Sequence, residues 1–248
     1  MAAADPSGGS GFARLLDGLT AVSPSPDPSL VALTGAIAAV LVLLPATWRL
    51  VRLGITAVHE AGHAGVAVLV GRRLSGVRLH ADTSGLTVSV GRSRGPGIVL
   101  VMLAGYLAPA VLGLIAVVIV LADRPRALLW GLVALCLALL LWVRNAYGVL
   151  VLVTIGAAVA AVGWWLPGTP TTVVAHLVAW LLLLGAPRPP LELLAAGRRR
   201  PRTSDADQLA RLTGVPALVW VVLFVLAGAA GLVVGAVALV PDALHRLG

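Results

Sequence analysis

The stretch Gly54-Ile55-Thr56-Ala57-Val58-His59-Glu60-Ala61-Gly62-His63-Ala64-Gly65 lies inside a longer apolar run, residues 46–70. Its length suits a helix that crosses a bilayer, which needs about 20 predominantly apolar residues. Yet it carries two histidines and a carboxylate. On a helix, positions i and i+4 project from one face, so the imidazoles of His59 and His63 point the same way. Glu60 follows the first of them by one residue. A charged side chain at membrane depth is costly and is retained for function.

The rest of the chain supports the membrane setting. Of its 248 residues, 59% are hydrophobic and 11% charged, and the mean hydropathy is +1.01. A soluble domain carries about 25% charged residues, so a water-soluble globule is excluded. The fold class expected is an all-α polytopic membrane protein of about seven transmembrane helices with one short cytoplasmic β-hairpin. The net charge of +8 comes from eighteen Arg and no Lys against ten acids. These Arg sit between apolar runs, where they suit anionic headgroups of the lipid bilayer and not nucleic acid. The lone cysteine, Cys136, lies in an apolar run, which excludes a disulfide framework.

Residues 1–28, rich in small residues and proline, read as a disordered tail. They lack the basic start and apolar core of a cleaved signal peptide. Residues 29–248 read as one membrane domain. Apolar runs cover about 30–45, 46–70, 98–121, 127–143, 147–166, 170–186 and 216–240, and two of the shorter ones could be re-entrant. Two polar loops, 71–97 and 187–214, interrupt them. In the first, Val77, Leu79 and Ala81 alternate before Asp82-Thr83-Ser84-Gly85, and Leu86, Val88 and Val90 alternate after it. That pattern predicts a hairpin, with Gly85 available for a positive φ. With seven spans, the tail and the loops at 71–97, 144–146 and 187–214 share one side, carrying 1, 5, 1 and 6 Arg. The other side carries five. The positive-inside rule places the richer side in the cytoplasm. The run Arg198-Arg199-Arg200-Pro201-Arg202 reads as a headgroup-facing topology signal. Trp142, Trp164 and Trp165 suit interfacial belts.

His59-Glu60-Ala61-Gly62-His63 matches H-E-x-x-H, in which two imidazoles hold one Zn²⁺ and the glutamate works as general base. The metal lowers the pKa of a bound water toward about 7, so a carboxylate suffices to take its proton at neutral pH. Catalytic zinc sites usually have three protein ligands, and the residues leave three candidates for the third. Asp205 follows Ser204, an N-cap residue. Asp207 lies about 200° further round a helix, so both acids cannot face one ion. His176 sits alone in the sixth run, where hydrogen bonding to a neighbouring helix is the ordinary role. If the second helix ends near residue 70, His63 and His59 lie roughly 10 and 16 Å inside it. Asp205 then needs a dipping loop, or a last helix extended below its apolar start. Pro109 is expected to kink the third span and free carbonyls.

The segment His59–Ala64, set in an apolar helix and followed by Gly71 and a basic hairpin, resembles the site-2 protease family of intramembrane zinc metalloproteases. Gly105-Tyr106-Leu107-Ala108-Pro109 and Ser204-Asp205-Ala206-Asp207-Gln208-Leu209-Ala210 resemble a compact bacterial branch of it. The resemblance covers about 46–225. It implies a zinc-dependent endopeptidase that cleaves membrane-embedded substrate segments in a bacterial inner membrane, with His59, His63 and Asp205 as ligands and Glu60 as catalytic base. The family's Leu-Asp-Gly motif is missing from the later spans, since Leu16-Asp17-Gly18 lies in the tail. At a comparable place stands Arg144-Asn145-Ala146-Tyr147-Gly148, where Asn145 is a candidate for binding substrate backbone. Two other functions fit the same residues. A zinc-holding scaffold without activity is favoured by the missing motif and opposed by the intact Glu60. A metal or proton transporter would be supported by internal repeats, and none is evident.

Overall fold

The computed structural model describes residues 22–23, 26–166, 168–197 and 203–240. The tail as far as residue 21 and the Arg198–Arg202 run lie outside these. Where the described chain takes up, Asp27 caps the first helix by accepting from the Ser29 amide at 2.8 Å. Helix α1 spans Pro28–Leu43 and α2 spans Pro45–Leu69. The two are bent by 100° at the Leu44 break, where Pro45 opens a new helix with its fixed φ. The chain continues through strands β1 (Arg73–Leu79) and β2 (Gly85–Val90). Helices α3 (Pro96–Leu121), α4 (Pro125–Leu140), α5 (Ala146–Trp165), α6 (Thr169–Gly185), α7 (Arg188–Ala196), α8 (Asp205–Thr213) and α9 (Ala217–Leu239) follow.

The structure is mostly helical, with one small antiparallel sheet. Four stretches are long and apolar enough to cross a membrane: α3, α5, the α6–α7 unit and α9. The α1–α2 pair makes a fifth when taken together. Helix α2 is long enough alone, but Arg49, Arg52, His59, Glu60 and His63 lower its apolarity. Helix α4, at 16 residues, extends about 24 Å against a hydrocarbon core of about 30 Å. The stretch expected as a loop at 187–214 is partly helical among its described residues. It contains α7, which carries on from α6, and α8, a separate short helix.

Close approaches at small residues pack the bundle, as expected where lipid supplies no hydrophobic drive between helices. Gly62 of α2 lies against Ala104 and Ala108 of α3. On α9, Gly228, Gly231 and Gly235 meet Pro187, Ala110 and Leu183. At the other end of α2, Glu192 of α7 accepts from Trp48 Nε1 and Arg52 Nη1, both at 2.7 Å, and Arg188 lies over the Trp48 ring. Helix α8 buries Ala206 and Leu209 against Val221 and Phe224 of α9, with Leu103 and Tyr106 of α3 alongside.

The hairpin forms where the alternation predicted it, but its turn is built differently. His80 N donates to Ser84 O and Thr83 N to His80 O, and the positive φ falls on Thr83, at 67°. Gly85 already belongs to β2. Register sets Val77 opposite Thr87 and Leu79 opposite Gly85. Val77 and Leu79 face inward and are buried, whereas Leu86, Val88 and Val90 face outward and are exposed. The inner face of β2 is therefore Gly85, Thr87 and Ser89. The outer edge of β1 is occupied. Val77 N donates to Trp142 O and Arg144 N to Val77 O, each at 2.9 Å. The Asn145 carboxamide takes both backbone groups of Leu79, at 2.6 and 3.2 Å. The opposite edge of the sheet, along β2, runs beside a cleft that Gly85, Leu86 and Thr87 help to line.

Candidate metal centre

Helix α2 brings His59 and His63 onto the face it turns to α3, and their Nε2 atoms stand 3.0 Å apart. The His63 ring is fixed from behind, where Nδ1 donates to the Val101 carbonyl at 2.7 Å. That bond assigns the proton to Nδ1 and leaves the Nε2 lone pair free for a metal. The His59 ring packs edge-on against Tyr106, with centroids 4.7 Å apart, and Tyr106 stacks on Phe224 of α9. Gly105, beside Tyr106 on α3, makes the arrangement possible, because a Cβ there would overlap both imidazoles.

Helix α8 delivers the third group. One carboxylate oxygen of Asp205, Oδ2, lies 3.1 Å from His59 Nε2 and 3.2 Å from His63 Nε2. Asp205 is the first residue of α8. The helix start is held by a capping box in which Ser204 Oγ and N donate to Asp207 Oδ2 at 2.6 and 3.1 Å. Asp207 thus turns to Ser204, away from the histidines. The sequence left a dipping loop or an extended last helix open, and the structure uses a separate amphipathic helix. His176 is buried within α6 and bonded to the Thr172 carbonyl at 2.8 Å. Among the described residues, the only group of three side chains placed to share a metal is His59, His63 and Asp205. Asn145 stands apart from it, engaged with the hairpin.

The donor set suits zinc. Four ligands at about 2.0–2.1 Å in a tetrahedron are about 3.3 Å apart, close to the three separations above. Two imidazoles and one carboxylate leave a fourth position open, as catalytic sites do. Glu60, beside the pair, is 4% exposed. The Thr87 hydroxyl of β2 donates to its Oε2 at 2.5 Å, and Gly85 lies so close that a Cβ would overlap the carboxylate. The residues converge on a cleft of about 390 Å³, lined also by Arg52, Met102, Pro109, Pro189 and Gln208. Pro109 lacks an N–H, so it leaves the Gly105 carbonyl without its helical donor.

Thr87, Gly85, Gly105 and Tyr106 were not singled out for the site from sequence. A signal existed for Thr87: in β2 the apolar residues alternate with Gly85, Thr87 and Ser89. A strand that turns such a face inward must meet a polar group there.

Fold and site together define a helical membrane protein with a histidine–histidine–carboxylate centre and an adjacent glutamate. A family description, Peptidase M50B-like, matches residues 32–235. The chain belongs to that family, the site-2 protease family. Neither a curated protein nor a solved structure matches it.

Proposed function

We propose that the protein is a zinc-dependent intramembrane endopeptidase. The observation that carries this reading is the single Asp205 oxygen held 3.1 and 3.2 Å from the two imidazoles of one helix, with Glu60 beside them. His59, His63 and Asp205 hold the ion, which when bound supplies a Lewis acid and an acidified water. Glu60 takes a proton from water as the oxygen attacks the scissile carbonyl carbon. It then returns that proton to the amine nitrogen as the C–N bond breaks.

The substrate is a membrane-spanning segment that must unwind to present a carbonyl. The outer edge of β1 is already paired, so the edge of β2 is the one that can add an extended segment beside the cleft. In this reading Asn145 contributes to substrate binding indirectly, by holding β1 and hence the hairpin in place. Counted as separate passes, α1 and α2 join α4 and the four long stretches to give seven passes through a bacterial inner membrane. The hairpin and the Arg-rich segments face the cytoplasm.

The test compares wild type with Glu60→Gln on a panel of co-expressed single-span proteins. Shortened fragments should appear with wild type and vanish with Glu60→Gln, since general-base loss costs about 10²–10⁴ in rate. Fragments undiminished in the variant would remove Glu60 from the chemistry.

A further inference from the structure

Glu60 is roofed by the hairpin, and the two oxygens of its carboxylate meet β2 in different ways. Oε2 accepts from the Thr87 hydroxyl at 2.5 Å, and the same hydroxyl lies 3.3 Å from the Glu60 carbonyl. Oε1 packs against Gly85, where any side chain would overlap the carboxylate. One helical turn away, the Thr56 hydroxyl donates to the Thr83 carbonyl at 2.9 Å and fastens the turn of the hairpin to the same helix. The strand thus bonds one oxygen of Glu60 and packs against the other, and Gly85, Thr87 and Glu60 all line the cleft.

A glutamate has three side-chain torsions, and nothing in its own helix fixes all of them. A charge-assisted bond to one oxygen at this distance is the kind that does. We propose that Thr87 is a positioning residue for the general base: its hydroxyl fixes the orientation of the Glu60 carboxylate at the cleft. The proposal rests on the reading of Glu60 as base. It makes the hairpin part of the catalytic apparatus, because the strand offered to substrate is also the one that orients the base.

The experiment uses the purified full-length protein and a single-span substrate found in the panel above. Thr87→Val keeps the shape and removes the donor, while Thr87→Ser keeps the donor. The expected result is a fall in kcat of about 10- to 100-fold for Thr87→Val, the range for partners that orient an active group. KM and zinc content should stay unchanged, and Thr87→Ser should regain most of the rate. Should Thr87→Val fail to fold, Thr87→Ala carries the same expectation.

A second readout needs no activity. Thr87→Val should lower the thermal unfolding midpoint in the wild-type background and have little effect in Glu60→Ala, where the acceptor is gone. Wild-type kcat in Thr87→Val, equal losses in the Val and Ser variants, or equal midpoint shifts in both backgrounds would overturn the proposal. A fully active Thr87→Val beside an inactive Glu60→Gln refutes the positioning role and leaves the peptidase reading intact. An active Glu60→Gln refutes that reading, and this proposal with it.

Discussion

Replacing Gly105 by alanine adds one methyl group at the point where α3 passes under both imidazoles. A Cβ there stands 2.7 Å from Cε1 of His59 and nearer still to Nε2 of His63. Non-bonded carbons settle at about 3.5–4.0 Å, so at least one ring must shift by about 1 Å. His63 cannot retreat freely, because its Nδ1 is tied to Val101 at 2.7 Å, and His59 is backed by Tyr106. The displacement therefore falls on the donor atoms themselves. A loss of zinc affinity of about 10- to 100-fold is expected, the range measured when the supports of metal ligands are removed. The assay is competition with a chromogenic chelator, run beside Gly65→Ala, where an added Cβ meets nothing within 4 Å. Gly65→Ala should bind zinc as wild type and gain up to about 1 kcal/mol of helix stability. The sign separates the alternatives. If Gly105→Ala also binds zinc normally and gains stability, the rings are not packed on Gly105.

Metal analysis of the purified protein should find close to one zinc, lost in His59→Ala and His63→Ala and kept in Glu60→Gln, because in the proposed reading Glu60 acts on water and not on the ion. Asp205→Ala should lower zinc affinity clearly more than Asp207→Ala does. Asp207→Ala should instead cost about 1 kcal/mol of stability through the lost cap, read from thermal unfolding, and a reversed order would move the ligand to Asp207. Asn145→Ala leaves the Leu79 backbone groups unpaired at the sheet edge, at a cost of about 1–3 kcal/mol. Faster amide exchange confined to β1 should report it, whereas unchanged exchange would show that Asn145 does not hold the strand.

Much of the site could be read from one helix. The spacing of His59 and His63 fixes their common face whatever surrounds them, and the hairpin announced itself by alternation on either side of Asp82-Thr83-Ser84. Ser204 was legible as a cap because capping is local. What could not be read depends on packing between distant segments. Only the seating of Ala206 and Leu209 against α9 and α3 makes α8 dip and bring Asp205 to the pair. The positive φ falls at Thr83, and Gly85 serves instead in β2, where Glu60 leaves no space for a Cβ. The edge that Asn145 occupies became visible only once α4 and α5 had brought residues 142–145 against β1. The Glu192 contacts with Trp48 and Arg52 likewise join segments whose polarity alone gave no partner.

The placement of Asp205 far along the chain has a consequence for biosynthesis. His59 and His63 are made early, and about 140 residues separate His63 from the carboxylate that completes the cluster. At about 5–20 residues per second of translation, roughly 7–28 seconds pass with two imidazoles in the membrane and no third donor. Helix α8 packs on Val221 and Phe224 of α9, so its seat is complete only once α9 has been made. A nascent or truncated chain that stops before residue 205 therefore carries the whole His-Glu-His helix without the carboxylate that completes the cluster. Order of synthesis thus sets when the cluster can be completed, since its third member comes on a helix that packs against the last one.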